Sequence, residues 1–284
     1  MKKISFINNV KVVDDGNNKI VLKKRKRNIN DIYSILDNRK FENYLIPIEI
    51  DNDYEKYPFI NENKIEDSDK SQDIIYLMSL LHNKTTSYEN INIDEIKKIY
   101  EDSIDELEKI DKHYLELQDE IEMKILVNPA ELLLMKNISK VFFMLNLSRK
   151  NIEEYYKVAK EKINIRKALV HGNLSLNHIL ESDEKYLISW NKAKKDIPVY
   201  DLVKFYKNEF NTIEFNSLYE EYIRKYQLTT EEEYLFLSLI NRIELIEMKE
   251  DIFNNTLRVR KLVDYIDKTI KFTLEKNKEN EETN

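Results

Sequence analysis

The sequence predicts an α+β protein, with a small β-rich N-terminal part, then a large, mainly helical part with a short β-insert in its middle. Three observations carry this prediction. β-Branched runs flank an Asp-Gly pair near the start of the chain. Apolar residues recur at helical spacing from about Ser71 onward. Short apolar runs separated by polar turns interrupt that spacing at roughly 168–200.

The first element is a hairpin. Val10-Lys11-Val12-Val13 and Ile20-Val21-Leu22 flank Asp14-Asp15-Gly16-Asn17-Asn18, a strong turn signal. A helix is expected from about Ile29 to Leu36, with Asn28 or Asn30 as its cap. Tyr44–Ile50 reads as a strand, and Tyr57–Ile60 as another. Beyond Ser71, the apolar residues Ile74, Ile75, Leu77, Met78, Leu80 and Leu81 fit one helix, and Ile96, Ile99, Tyr100, Ile104, Leu107 and Ile110 fit the next. Further helices are expected over about 115–147, 150–165, 201–226, 230–250 and 255–275. Within the interruption, Leu169-Val170, His178-Ile179-Leu180 and Tyr186–Trp190 are strand-like. The expected organisation is an N-terminal lobe over 1–62, a helical lobe over 63–275 with its β-insert at about 168–200, and a disordered polar tail over 276–284.

Composition narrows the function classes. The 284 residues carry a formal net charge of -7 and a pI of about 5.4, which argues against general nucleic-acid binding. The run Lys23-Lys24-Arg25-Lys26-Arg27 is locally basic and reads first as a solvated strand end. With no cysteine there is neither a disulfide nor a thiolate metal site. The N-terminus lacks the apolar stretch of a secretory signal, and no apolar run approaches the ~20 residues that span a bilayer. The expected location is cytoplasmic. Only Gly16 and Gly172 occur, so neither a Walker loop nor a dinucleotide fingerprint can be written.

The interruption carries a resemblance. Leu169-Val170-His171-Gly172-Asn173-Leu174-Ser175-Leu176-Asn177-His178-Ile179-Leu180 resembles the catalytic loop of the aminoglycoside/choline kinase-like superfamily, His-Gly-Asp, four residues, Asn and two apolar residues. Tyr186–Ala193 resembles the following metal-binding strand, Ile-Asp-Trp-Glu-x-Ala. Asp196-Ile197-Pro198-Val199-Tyr200-Asp201-Leu202 resembles the Asp-Pro-x-x-Asp-Leu segment that opens the next helix. Leu80-Leu81-His82-Asn83 resembles the end of the helix after the interlobe linker, and Gly16 to Lys23 the hairpin and strand with the ATP-contacting lysine. The five matches fall in order over about 10 to 205. They imply a two-lobed protein-kinase-like fold. Leu22-Lys23 with its basic run, Leu81-His82-Asn83 with a following Thr, and Arg258–Leu262 resemble the bacterial spore-coat kinase-like branch, which implies a spore-associated location.

Carried over residue by residue, the resemblance departs from the family at three positions. The catalytic Asp is Asn173, whose amide oxygen is too weakly basic to act as a carboxylate base. The metal-binding Asn is His178, an imidazole poorly matched to Mg²⁺. Asn177 lies one place earlier, but using it would put Ile179-Leu180 out of step. The metal-binding Asp is Ser189, which removes the principal anionic ligand. Lys23 stands at the nucleotide-contacting position or is a surface lysine. Asp31 and Asp37 are the candidates for its acidic partner.

The other site residues have structural readings. His171 and Gly172 shape the loop, and His171 hydrogen-bonds its backbone. Asp201 braces the loop or caps the next helix. His82 packs its helix end, His113 is exposed, and Trp190 packs under the loop. A metal on His178 with Asp183 or Asp201 is the minor alternative to no metal at all. The resulting expectation is a catalytically inactive kinase-fold protein, a pseudokinase acting as a binding or assembly module. It would have protein partners and no required cofactor. The alternatives are a divergent small-molecule phosphotransferase using ATP, and a helical interaction protein of unrelated fold.

Overall fold

The computed structural model describes residues 3–7, 10–14, 16, 19–51, 53–63, 66–249 and 251–283. In chain order the elements are β1 (Lys3–Ile7), β2 (Val10–Asp14), β3 (Lys19–Lys24), α1 (Asn30–Asn38), β4 (Glu49–Ile50), β5 (Tyr54–Pro58), α2 (Asp67–Thr85) and β6 (Ser87–Asn90). Then come α3 (Ile93–Glu122), α4 (Pro129–Ala159), β7 (Asn164–Val170), a 3₁₀ turn (Leu176–His178), β8 (Ile179–Glu181), β9 (Lys185–Leu187) and a second 3₁₀ turn (Trp190–Lys192). β10 (Lys194–Asp196), α5 (Val199–Glu209), α6 (Phe215–Lys225), α7 (Thr230–Ile240) and α8 (Ile252–Thr283) complete the chain. The small antiparallel sheet and the large helical part are those expected. Among the described residues no helix is long and apolar enough to cross a membrane.

Residues form two compact units, each built from several chain segments. The first comprises Met1–Ser87, Lys167–Glu209 and Ser217–Gln227. Its five-stranded sheet has the order β1-β2-β3-β5-β4, with every pairing antiparallel. The hairpin joins β2 and β3, and Gly16 turns there at φ 91, with its N–H donating to Asp14 Oδ1 at 2.8 Å. Asp15, Asn17 and Asn18 lie outside the described residues. Cross-strand register puts Val12 opposite Val21, Val21 opposite Tyr57, and Lys23 opposite Glu55. Side chains alternate along a strand, so Val21, Lys23, Glu55 and Tyr57 share one face. α1 buries Ile32 and Leu36 at i and i+4. β1 was not foreseen. The strand expected over 44–50 shrinks to β4, with Tyr44 making a lone parallel bridge to Leu187, because Pro47 has no N–H for a ladder.

The same unit holds the β-insert. β10 pairs antiparallel with β7, Lys194 facing Val170, and β8 pairs with β9. β7 starts earlier than expected, at Asn164, and its first three residues belong to the second unit. The helix expected over 201–226 is two helices, α5 and α6.

The second unit comprises Tyr88–Arg166, Phe210–Asn216 and Leu228–Asn284. Its core is α4 with α3, α7 and α8, around residues such as Leu134, Met144, Leu145, Leu237, Ile240 and Ile266. The break expected near 148 falls instead at 123–128. There Asn128 and Glu131 form a capping box and Pro129 occupies the first helical turn, so the sequence restarts a helix at this point. α7 stops at Ile240 rather than near 250. The Asn241 amide donates to Leu237 O at 2.8 Å and Thr273 Oγ1 at 2.7 Å. Glu232 accepts from the Thr229 backbone N–H at 3.0 Å at the start of α7 and also pairs with Arg166. His113, expected to be exposed, is half-buried with Nε2 2.8 Å from Ile246 O. The polar segment expected to be disordered from 276 is helical as far as Thr283; it contains no Pro or Gly and has Lys and Glu, good helix formers.

Candidate functional site

The loop after β7 and the turn after β9 meet β3 within the first unit. Two features fix the loop. Gly172 has φ 78, and a Cβ there would stand 2.4 Å from the Lys192 carbonyl oxygen, so only glycine fits. Beneath it, the fully buried Asp201 accepts from His171 N at 2.6 Å through Oδ2 and from Gly172 N at 2.7 Å through Oδ1. His82 Nε2 lies 3.3 Å from the same Oδ2, and His82 Nδ1 is 2.7 Å from the Tyr222 hydroxyl. α5 begins at Val199, so Asp201 sits within the first turn and not at the cap. The His171 Nε2 lies 2.8 Å from the Ile188 carbonyl, and its ring packs 4.9 Å from that of the buried Trp190. Burial holds the His171 pKa below the ordinary histidine value, against the opposing charge of Asp201.

On this base the structure brings Lys23, Asn173, His178, Ser189 and Lys192 together. The Lys23 ammonium donates to Ser189 Oγ at 3.1 Å. Ser189 is in the left-handed region, φ 73 and ψ 45, which Ser adopts less readily than Asp or Asn. The Lys192 Nζ lies 3.4 Å from Asn173 Oδ1, and the Asn173 amide nitrogen is 3.5 Å from His178 Nε2. His178 Nδ1 is 2.8 Å from the Ser175 hydroxyl. Burial pushes the His178 pKa down to about 4, and the charges of His171, Lys23 and Lys192 push the same way, so the ring is neutral near pH 7.

Two residues of the site were missed in the sequence. Glu55, on β5, is the carboxylate whose charge acts on Lys23, in place of the helix acids Asp31 and Asp37. The Asp37 charge falls on Tyr44 instead. Glu55 is buried and accepts the Tyr57 hydroxyl at 2.8 Å, and Tyr57 meets the Tyr33 hydroxyl at 2.7 Å. Only the β3–β5 register reveals that pairing. Lys192 occupies the unspecified position of the metal-strand motif, which gave no reason to single it out. The basic run divides: Lys23 and Arg25 are half-buried, Lys24, Lys26 and Arg27 exposed, and Arg27 Nη2 donates to the Ala193 carbonyl. Burial lowers the Lys23 pKa, Lys26 adds to this, and Glu55 opposes it.

The donor set does not fit Mg²⁺. That ion prefers anionic oxygen, and Asn173, His178 and Ser189 present an amide, an imidazole and a hydroxyl. Among the described residues no three His, Asp or Glu side chains are placed to hold a metal, so His178 is not joined to Asp183 or Asp201 in such a set.

No family model matches the sequence, and no curated protein matches it. Solved structures do. An aminoglycoside phosphotransferase from Alicyclobacillus acidocaldarius superimposes with a TM-score of 0.73 at 10% identity, covering 99% of this chain and 92% of that one. The fold is that of the aminoglycoside phosphotransferases. A spectinomycin phosphotransferase bound to AMP aligns with a TM-score of 0.60 at 12% identity, over 94% of this chain and 92% of its own. A microcompartment-associated aminopropanol kinase aligns with a TM-score of 0.52 at 12% identity, over 93% and 90%. The phosphotransferase fold has the N-terminal sheet and central β-insert that a helical protein of unrelated fold would lack, and the latter expectation is discarded.

Proposed function

We propose that this chain is a phosphotransferase-fold protein that does not transfer phosphoryl groups and serves as a binding or assembly module, nearest the spore-coat kinase-like branch. The Lys23–Ser189 pair carries the reading. Where the resemblance calls for the metal-binding Asp, a neutral hydroxyl accepts the lysine ammonium at 3.1 Å. Asn173 supplies no carboxylate base and His178 no oxygen ligand, so the base and the metal anchors are lost together. The turn between α3 and α4 supports a partner-binding role. Met123, Ile125 and Leu126 are 85%, 99% and 87% exposed there, more than isolated surface apolar residues require.

The test is an assay of phosphoryl transfer from ATP with Mg²⁺ or Mn²⁺ to aminoglycosides, amino alcohols and water, alongside thermal shift with ATP and either metal. No turnover and no metal-dependent shift are expected. The double variant Asn173→Asp with Ser189→Asp is expected to gain a Mg²⁺-dependent ATP shift. Turnover by the natural sequence would establish the second reading, a divergent ATP-dependent small-molecule phosphotransferase. The half-buried Lys23 and the braced His171-Gly172 turn favour that reading.

A further inference from the structure

The charges around the site do not balance. Lys23 and Lys192 approach from different elements, the middle strand of the sheet and the 3₁₀ turn after β9, and each ends on a neutral oxygen: Ser189 Oγ at 3.1 Å and Asn173 Oδ1 at 3.4 Å. Neither lysine has a carboxylate within salt-bridge distance among the described residues. The two nearby acids are engaged elsewhere. Asp201 is spent on two backbone N–H groups and His82 beneath the loop. Glu55 is buried within the sheet face and accepts the Tyr57 hydroxyl. Both ammonium charges act on the His178 ring, whose Nε2 lies 3.5 Å from the Asn173 amide nitrogen, and Lys192 approaches the oxygen of that same amide. Lys26 adds a third positive charge at Lys23.

A half-buried ammonium on a neutral acceptor keeps most of its field for an incoming ligand. Polar hydrogens surround the same point. The Ser189 hydroxyl accepts from Lys23 and so has its own hydrogen to donate, and Asn173 has two amide hydrogens. Two ammonium groups, a hydroxyl and an amide suit an anion with several oxygens, and compact lysine charges suit phosphate. A phosphoryl group bridging Lys23 and Lys192 would satisfy all four groups. A divalent cation on that phosphate would bring like charge toward both lysines with no protein carboxylate to receive it.

We infer that this site binds a phosphate-bearing anion directly, between Lys23 and Lys192 and without a divalent metal, so that Mg²⁺ opposes binding instead of promoting it. The inference deepens the non-catalytic reading above and rests on it for the lack of a resident metal. The probes are inorganic pyrophosphate and ATP, each titrated in EDTA at constant ionic strength and followed by melting temperature and calorimetry. Pyrophosphate is expected to raise the melting temperature in EDTA, and added Mg²⁺ to reduce the shift. Lys192 is exposed, so Lys192→Ala should fold normally while binding about tenfold more weakly or worse. Lys23→Met, which keeps the packing of the stem, should lose binding similarly. ATP binding in EDTA more tightly than pyrophosphate would assign the anion to a nucleotide. Equal binding would assign it to another phosphate-bearing molecule. Both support the inference. No response to either probe in EDTA up to about 10 mM would overturn it, as would a response that requires Mg²⁺ or equal binding by Lys192→Ala. None of these three would restore catalysis, which is read separately from ATP turnover.

Discussion

The ammonium of Lys23 lies 3.1 Å from the hydroxyl oxygen of Ser189, tying the middle strand of the N-terminal sheet to the turn after β9. A lysine that is half-buried pairs here with a group that carries no charge. Ser189 also holds a left-handed backbone, φ 73, that Asp tolerates better. Ser189→Asp should therefore stabilise the protein by about 1 kcal/mol, through an ion pair and reduced backbone strain. The melting temperature should rise by roughly 2–4 °C. A fall would show that the hydroxyl is needed for reasons other than the lysine.

Gly172 allows no side chain. Its φ is 78, and the atom a Cβ would strike is a backbone oxygen, that of Lys192, which cannot swing aside. Gly172→Ala should lose about 3 kcal/mol in urea unfolding. A loss below about 1 kcal/mol would mean that the loop can relax away from the second 3₁₀ turn.

Asp201 is the brace under the loop. Removing its carboxylate leaves the N–H groups of His171 and Gly172 buried without acceptors and His82 without its neighbour. Asp201→Ala should cost about 3 kcal/mol or more. The amides of His171 and Gly172 should lose hydrogen-exchange protection ahead of the rest of the first unit. Unchanged protection at those two amides would assign their order to another contact.

His178 gives the fold a pH dependence. Its pKa is lowered in the folded state from 6.5 to about 4, chiefly by burial. Above pH 6.5 the ring is neutral in both states and has no effect. As pH falls from 6.5 toward 4, the unfolded chain takes up a proton that the folded chain refuses, so stability falls across that window. His171 is shifted in the same direction. The contribution of His178 is therefore the difference between the natural sequence and His178→Asn. That variant should lose less stability between pH 7 and pH 4, by up to ~2 kcal/mol. Parallel pH profiles would place the His178 pKa near its ordinary value.

Much of this molecule could be read from local pattern. The hairpin rests on β-branched residues around Gly16, α1 on the i, i+4 spacing of Ile32 and Leu36, and the loop on the segment from His171 to Leu180, all features within a few residues of one another. The same segment named Asn173 and His178, and the following Tyr186–Ala193 segment named Ser189, because a motif fixes relative position along the chain. Helix ends were less legible. The stop before Pro129 and the stop at Ile240 depend on capping side chains that compete with other signals.

The sequence by itself determined the α+β order, the glycine that the loop needs, and the uncharged residue types Asn173, His178 and Ser189 that follow it. Tertiary structure alone decided the electrostatics. Lys23 and Ser189 are 166 positions apart, Glu55 faces Lys23 only through the β3–β5 register, and Lys192 reaches Asn173 only because a 3₁₀ turn folds back over Gly172. Charge acts through space and burial, and neither quantity is written in the spacing of residues along a chain.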